Sequence, residues 1–385
     1  MLIRLTIMLP LLGCCAGAIA QPRFVPLGDL PGGHFSSASG GVSQDGTIVV
    51  GDGKRTTGLS EQEAFLWADG IGMIGLGDLP GGIDGSFASK ISRDYTTIIG
   101  AASSSLGYEA CYWSTQDLSI HSIGDLPGGK HNAFAYGVSN DGGVIIGAAQ
   151  GPKGQRAFMW RRDTGVMQDL GTLPNTLPKE SAEARAVSAD GRVVAGTSSS
   201  GSGGTEAFVW TAETGMVGLG RDPIAKYSTA FNMSPDGAFV IGQLSIWNGT
   251  GPTTLGYRWT AITGMVPIES ANDAFESVSP IAISLDGKII IGNTVPQPDG
   301  DETFIWREGI GMMGLEAYLK SIGLDIRSMG YSLHAVSSMS DDGRFIVGNV
   351  INPDGNGEAF LIEIPAPPAA SLVALAALVA VRRRR

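Results

Sequence analysis

The chain has 385 residues, of which 57 are glycine and 16 % are charged, and its formal net charge is −11. That much glycine suits many tight turns and argues against a helical solenoid. The acidic balance, with no basic patch within the chain, argues against a nucleic-acid partner.

At the N-terminus, Met1-Leu-Ile-Arg4, an apolar run and Ala18-Ile-Ala20 before Gln21 have the three parts of a secretory signal peptide, cleaved between Ala20 and Gln21. Leu11-Leu-Gly-Cys14 offers a second reading, a lipoprotein signal with Cys14 as the lipidated residue. With cleavage after Ala20 only Cys111 survives, so no internal disulfide forms.

A repeat occupies the chain from there on. A Ser-x-Asp-Gly-like tetrad begins at Ser43, Ser92, Ser139, Ser188, Ser234, Ser284 and Ser340. Each is followed by an apolar run closed by Gly51, Gly100, Gly147, Gly196, Gly242, Gly292 or Gly348. A period of just under about fifty residues marks one supersecondary unit copied in series. In the third copy, four short apolar runs bounded by turn residues (135–138, 144–147, 157–160 and 166–170) read as a β-meander. Residues four before each serine are mostly small (Ser39, Ala88, Ala135, Ala184, Ala230, Pro280, Val336), as a strand near a shared axis requires. The third run ends in Trp67, Trp113, Trp160, Trp210, Trp259 or Trp306, with Ile362 in the seventh copy. A buried tryptophan removes about 150–250 Å² from water, so this series is expected to wedge neighbouring units together.

The seventh copy lacks its fourth run, and an extra one opens the chain at 24–29. Pairing the two leaves no free sheet edge at the seam. The expected fold is therefore all-β, a seven-bladed β-propeller over residues 21–363 closed by the N-terminal strand. The alternative, a right-handed β-helix, has shorter coils and needs no strand exchange.

In such a meander the tetrad turns share one face, while second-to-third-strand loops and blade connections share the other. Variation gathers on the latter, at 52–62, 197–205, 243–256 and 293–302, and a short helix is expected after Leu315. Trp247 lies off the repeat beside Tyr257, and the two are the expected ligand-facing residues. His34, His121, His131 and His334 follow no metal-ligand spacing, and the tetrad aspartates read as turn formers. Asp299-Gly-Asp-Glu302 and Asp341-Asp342 lack the full spacing of a calcium loop. No cofactor is expected.

Three runs carry a resemblance: Glu-Ala-Phe-x-Trp at 63–67 and 206–210, Gly-Asp-Leu-Pro-Gly-Gly at 28–33, 77–82 and 124–129, and the tetrad with its closing glycine. Together they resemble the HAF family of bacterial extracellular repeats, over residues 24 to about 362. Ser234-Pro-Asp-Gly237 is also similar to the turn of TolB-type propeller repeats. At the C-terminus, Pro365-Ala366-Pro367, an apolar stretch at 369–381 and Arg382 to Arg385 resemble the tripartite PEP-CTERM sorting tail, with Ala366 where that family has Glu. The resemblance implies export, membrane contact through the tail and recognition by an exosortase; a plain weak anchor is the alternative. The resulting expectation is an exported, non-catalytic surface or matrix scaffold whose variable face binds a glycan, polymer or protein. The alternative is a secreted propeller hydrolase or lyase acting on polysaccharide.

Overall fold

The computed structural model describes residues 21–55, 62–83, 85–174, 180–201, 203–220, 225–247, 252–268, 276–295 and 302–365. Ala20, Ala366, Pro367 and the apolar stretch 369–381 lie outside the described residues; Gln21 and Pro365 bound the described part.

Seven four-stranded antiparallel sheets follow one another along the chain, six of them with strands in sequence order. The seventh joins Ser332–Met339, Phe345–Ile351 and Gly357–Glu363 to the N-terminal strand Arg23–Pro26. This is a seven-bladed β-propeller closed by its own first strand, with Arg23 opposite Glu363 and Pro26 opposite Phe360. The helix expected after Leu315 is present as Leu315–Ser321, burying Leu315 and Leu319.

The seam is fastened in the same way as two interior boundaries. The Gly28 N–H donates to Glu358 Oε1 at 2.9 Å, while the Ser37 hydroxyl donates to Gly28 O at 2.6 Å and accepts from the Ala359 N–H at 3.1 Å. Between blades 1 and 2 the same clasp is made by Gly77, Glu63, Ser86 and Ala64. Between blades 4 and 5 it is made by Gly220, Glu206, Ser228 and Ala207. The glutamate of the Glu-Ala-Phe run thus holds the glycine that starts the next connection.

All seven tetrads close alike. Each serine hydroxyl donates to its aspartate, at 2.6 Å in Ser139–Asp141 and 2.8 Å in Ser43–Asp45, and accepts the N–H five residues on, at 2.9 Å in both. The fourth position takes positive φ, for example 66° at Gly142. In blade 2 Tyr95 stands there with φ 63°, a conformation costly for a side chain with Cβ.

The closing glycines sit at the tightest contact. A Cβ on Gly147 would stand 1.9 Å from Phe134 O and 2.9 Å from the Phe158 ring; Gly51, Gly100, Gly196, Gly242, Gly292 and Gly348 are as crowded by a first-strand carbonyl. A β-bulge in the first strand, between Ala135 and Gly137 in blade 3, brings that carbonyl in. The ring on the other side is the phenylalanine of the third strand, in a Glu-Ala-Phe run in three blades: Phe65, Phe158, Phe208, Phe304 and Phe360 are fully buried. The tryptophans two residues later are less uniform. Trp67, Trp113, Trp160 and Trp210 are buried, each packed against the preceding blade, whereas Trp259 and Trp306 are partly buried.

Two outcomes are expected from chemical denaturation. Glu358→Ala should destabilise by about 1–3 kcal/mol, matching Glu63→Ala at an interior boundary, because each leaves a glycine N–H without its acceptor. Gly147→Ala should cost about 1–3 kcal/mol or more, because the first strand must move.

Candidate functional site

With the repeat aligned on its tetrads, the first strands line the central channel, and departures from the pattern stand out. Two residues before the serine the chain has Gly41, Lys90, Gly137, Ala186, Asn232, Ala282 and Ser338; Lys90 is the single charge. Three before, Tyr136 and Arg185 stand where blade 1 has Gly40 and blade 7 has Ser337. Five before, Phe87, Phe134 and Glu183 replace the small residues Ala38, Ser279 and Ala335. Blades 5 and 6 carry Phe231 and Ile281 at the three-before position, so bulk is not confined to one side, but the charged departures, Lys90, Glu183 and Arg185, fall in blades 2 and 4.

These residues form a connected series. Tyr108 lies against Phe87 with centroids 5.9 Å apart and stacks on Phe134 at 5.5 Å, and Phe134 runs parallel to Tyr136 at 6.4 Å. The Arg185 guanidinium lies 4.7 Å over the Tyr136 ring and is ion-paired with Glu183. The Arg185 and Glu183 side chains keep 40 % and 25 % exposure, so the pair is reachable by solvent. Arginine carries five N–H donors, so one carboxylate does not exhaust it.

Lys90 is half-buried in a chamber of about 110 Å³, alongside Gln44, Arg93, Asn140, Asn232 and Asp341. Its side chain makes no hydrogen bond or ion pair with a described residue. Burial, and then the like charge of Arg185, push its ammonium down to about 8. An amine in this state is partly neutral near physiological pH and able to accept a proton.

The chamber is narrowed on the tetrad face. Backbone bonds run from Asp94 N–H to Asn140 O (3.0 Å), Asn140 N–H to Ala189 O (2.9 Å) and Ala189 N–H to Pro235 O (2.7 Å). Arg93 of blade 2 pairs with Asp341 of blade 7, whose N–H donates to Gln44 Oε1 at 2.8 Å. On the second strand of blade 1, burial pushes the Asp52 carboxyl up to about 6 against the opposing charge of Lys54, and Gln62 Nε2 donates to it at 3.0 Å. Asn293 and Asn349 hold the corresponding place in blades 6 and 7 and tie their blades to the next through Val336 N–H and Ser39 N–H.

Of the two residues expected to face a ligand, only Tyr257 has a described side chain, and it lies in the core. Tyr257 is fully buried, and its hydroxyl donates to Thr229 O at 2.9 Å. It fills the ring position against Gly242 that phenylalanine holds in five other blades, which corrects the expectation that Tyr257 faces a ligand. Cys111 fills the same position in blade 2, where burial pushes its thiol up. Trp247 pairs with Pro252 at the end of its hairpin, and its side chain lies outside the described residues. His334 pairs with Glu302 on the loop face, whereas His121 stacks on Tyr112 in blade 2. Among the described residues no three His, Cys, Asp or Glu side chains converge to hold a metal ion.

No protein-family model matches the chain, and no curated protein matches it by sequence. Solved structures do match. The oligogalacturonate lyase of Vibrio parahaemolyticus superposes with a TM-score of 0.56 at 10 % identity, covering 90 % of this chain and 99 % of its own. An oligogalacturonate lyase in complex with manganese gives 0.55 at 12 % identity, covering 90 % and 98 %. At these identities the likeness establishes the fold. The two propellers named here are lyases, which tells against the preference for a non-catalytic scaffold and corrects it, and the catalytic alternative is the one carried forward. The described residues do not offer the donor set a manganese ion requires, so no step here is routed through a metal.

The Lys90 side chain should titrate near pH 8, read by the pH dependence of its modification with an amine-selective reagent. Arg185→Ala removes a like charge and should move that midpoint upward. A midpoint above 10 in the parent would contradict the assignment.

Proposed function

We propose that the protein is a polysaccharide lyase that cleaves next to a uronate sugar, working in the central channel between blades 2 and 4. The observation that carries this reading is Lys90, the single charge at its repeat position, without an acid partner and beside the Arg185 guanidinium. Cleaving a uronate polymer by elimination needs two things: a cation against the carboxylate, to stabilise the negative charge that develops there, and a base for the proton on the adjacent carbon. Arg185, held by Glu183 and the Tyr136 ring, supplies the first, and neutral Lys90 supplies the second. The amine takes the proton from the carbon next to the carboxylate. The electron pair left behind forms a carbon–carbon double bond as the bond to the glycosidic oxygen breaks, and that oxygen takes a proton from water. The half-buried rings of Tyr108, Phe134 and Tyr136 offer apolar faces for the sugar rings.

Two further observations support the reading. The oligogalacturonate lyases named above share the overall fold, and Lys90 and Arg185 place basic groups at the channel of an acidic protein, where an acidic ligand could be held. The exported placement read from the two ends of the sequence is part of the same proposal, with the tail as an exosortase signal, because extracellular polysaccharide would then be the accessible substrate.

The test is turnover of a panel of uronate polymers, followed both by new reducing ends and by the ultraviolet absorbance of the conjugated product. Both signals should rise together, and the rate should fall about tenfold per pH unit below about 8, as Lys90 becomes protonated. Lys90→Met should lose about 100-fold or more with the fold intact. Reducing ends without absorbance would mean hydrolysis, and an active Lys90→Met would remove the base from the mechanism.

A further inference from the structure

A second feature lies on the loop face beside the aromatic series. Gly128, Gly129, Lys130, His131, Asn132 and Pro152 line an open cleft of about 760 Å³ where the blade 2–3 connection meets the second-to-third-strand turn of blade 3. Its shape is set in advance. Asp125 accepts the Leu126 N–H at 2.7 Å and the Asn132 N–H at 2.9 Å, and Asn132 O accepts the Gln150 N–H at 3.1 Å. Gly128 has φ 88°, and a Cβ on Gly129 would stand 1.7 Å from Gln150 O, so this wall is bare backbone by necessity.

Lys130 and His131 are exposed on this braced loop and make no hydrogen bond or ion pair with a described residue. The sister connections carry His34-Phe35 and Ile83-Asp84 after their paired glycines; only this one places two basic residues together. Asn132 forms a β-bridge with Tyr108, the ring that stacks on Phe134. The cleft's Asn132 is thus tied through the backbone to the residue that begins the series leading through Phe134 and Tyr136 to Arg185.

We infer that this cleft is a polymer subsite, in which Lys130 and His131 bind carboxylates of acidic sugars further along the chain being cleaved, with Tyr108 and Phe134 as the floor between cleft and channel. The inference rests on the polysaccharide reading and adds to it that the substrate is a polymer held over several sugars. Binding energy gathered at the cleft tightens the hold on long chains, and short fragments cannot reach it. Unpaired bases on a preset loop lose little on binding a carboxylate, because they break no existing ion pair.

The experiment uses the full protein and measures binding of a uronate polymer, a neutral polymer and a uronate disaccharide, with turnover measured in parallel. The Lys130→Ala/His131→Ala double variant lies on exposed loop positions, and its melting temperature checks that the fold is kept. Affinity for the acidic polymer should fall about tenfold, corresponding to about 1.4 kcal/mol, with KM for the polymer rising and kcat unchanged. Disaccharide binding should not move. If the parent binds the acidic polymer, the double variant loses it and neither turns it over, the subsite stands and the lyase reading fails. If turnover depends on Lys90 but the double variant matches the parent on polymer, the subsite is wrong and the lyase reading stands. A parent that binds no acidic polymer, or binds neutral polymer equally well, overturns the inference.

Discussion

The structure depends on one steric contact repeated round the ring. In each blade a first-strand carbonyl is driven toward the second strand at a glycine where no Cβ fits: one would stand 1.8 Å from that oxygen at Gly100 and Gly242 and 2.2 Å at Gly292. The bulge that brings the carbonyl in also frees one first-strand residue from pairing, leaving its side chain at the channel edge. The aromatic ring on the far side of the glycine fills the blade interior. Local strand geometry, core packing and the lining of the channel are thus consequences of the same contact. The glycine spacing is regular because any larger residue would break all three.

A repeat this regular is a poor place to encode chemistry, since a catalytic residue at a repeat position would appear seven times. Function enters where the repeat is broken. The scaffold tolerates breaks at the bulged residue because it is skipped in the pairing with the second strand, whereas one residue on, Ala186 and Ala282 pack into the core with the next blade. Blades 2 to 4 carry Phe87, Lys90, Phe134, Tyr136, Glu183 and Arg185 on their first strands, whereas blades 5 to 7 spend their polar residues on bonds between blades, as Asn293 and Asn349 do. One side of the ring is built for cohesion and the other presents charge. The narrowing at Arg93 and Asp341 directs access to that charge to the loop face, where the connections vary.

The fold was readable in the sequence for physical reasons. Turn chemistry at Ser-x-Asp-Gly and the glycine that closes each apolar run are local, strict requirements, and the missing seventh strand had a visible replacement at 24–29. The glutamate clasp was visible only as a motif, because its partner lies in the next connection, or, for Glu358, some 330 residues away. The ligand-facing reading of Tyr257 failed because position in a variable loop region was weighed above position in the repeat: Tyr257 is two residues before Trp259, where Phe65 stands before Trp67. Lys90 carried a signal of its own. Comparing the residue two before each tetrad serine would have singled it out among Gly, Ala, Asn and Ser. The pairing of Arg185 with Glu183 and the stacking of Tyr108 on Phe134 had no such signal, since they arise from the angle at which blades meet.

On the proposed reading, substrate is held on the broken-repeat side of the channel. The most direct measurement is the position of a bound uronate oligosaccharide, determined by crystallography of a Lys90→Met variant soaked with the substrate or by chemical-shift mapping of the parent. The account expects the sugar in contact with Tyr136 and Arg185, with a carboxylate at the guanidinium and the reacting carbon facing position 90. An oligosaccharide seated in blades 5 to 7 or at the outer rim, with blades 2 to 4 undisturbed, would contradict it.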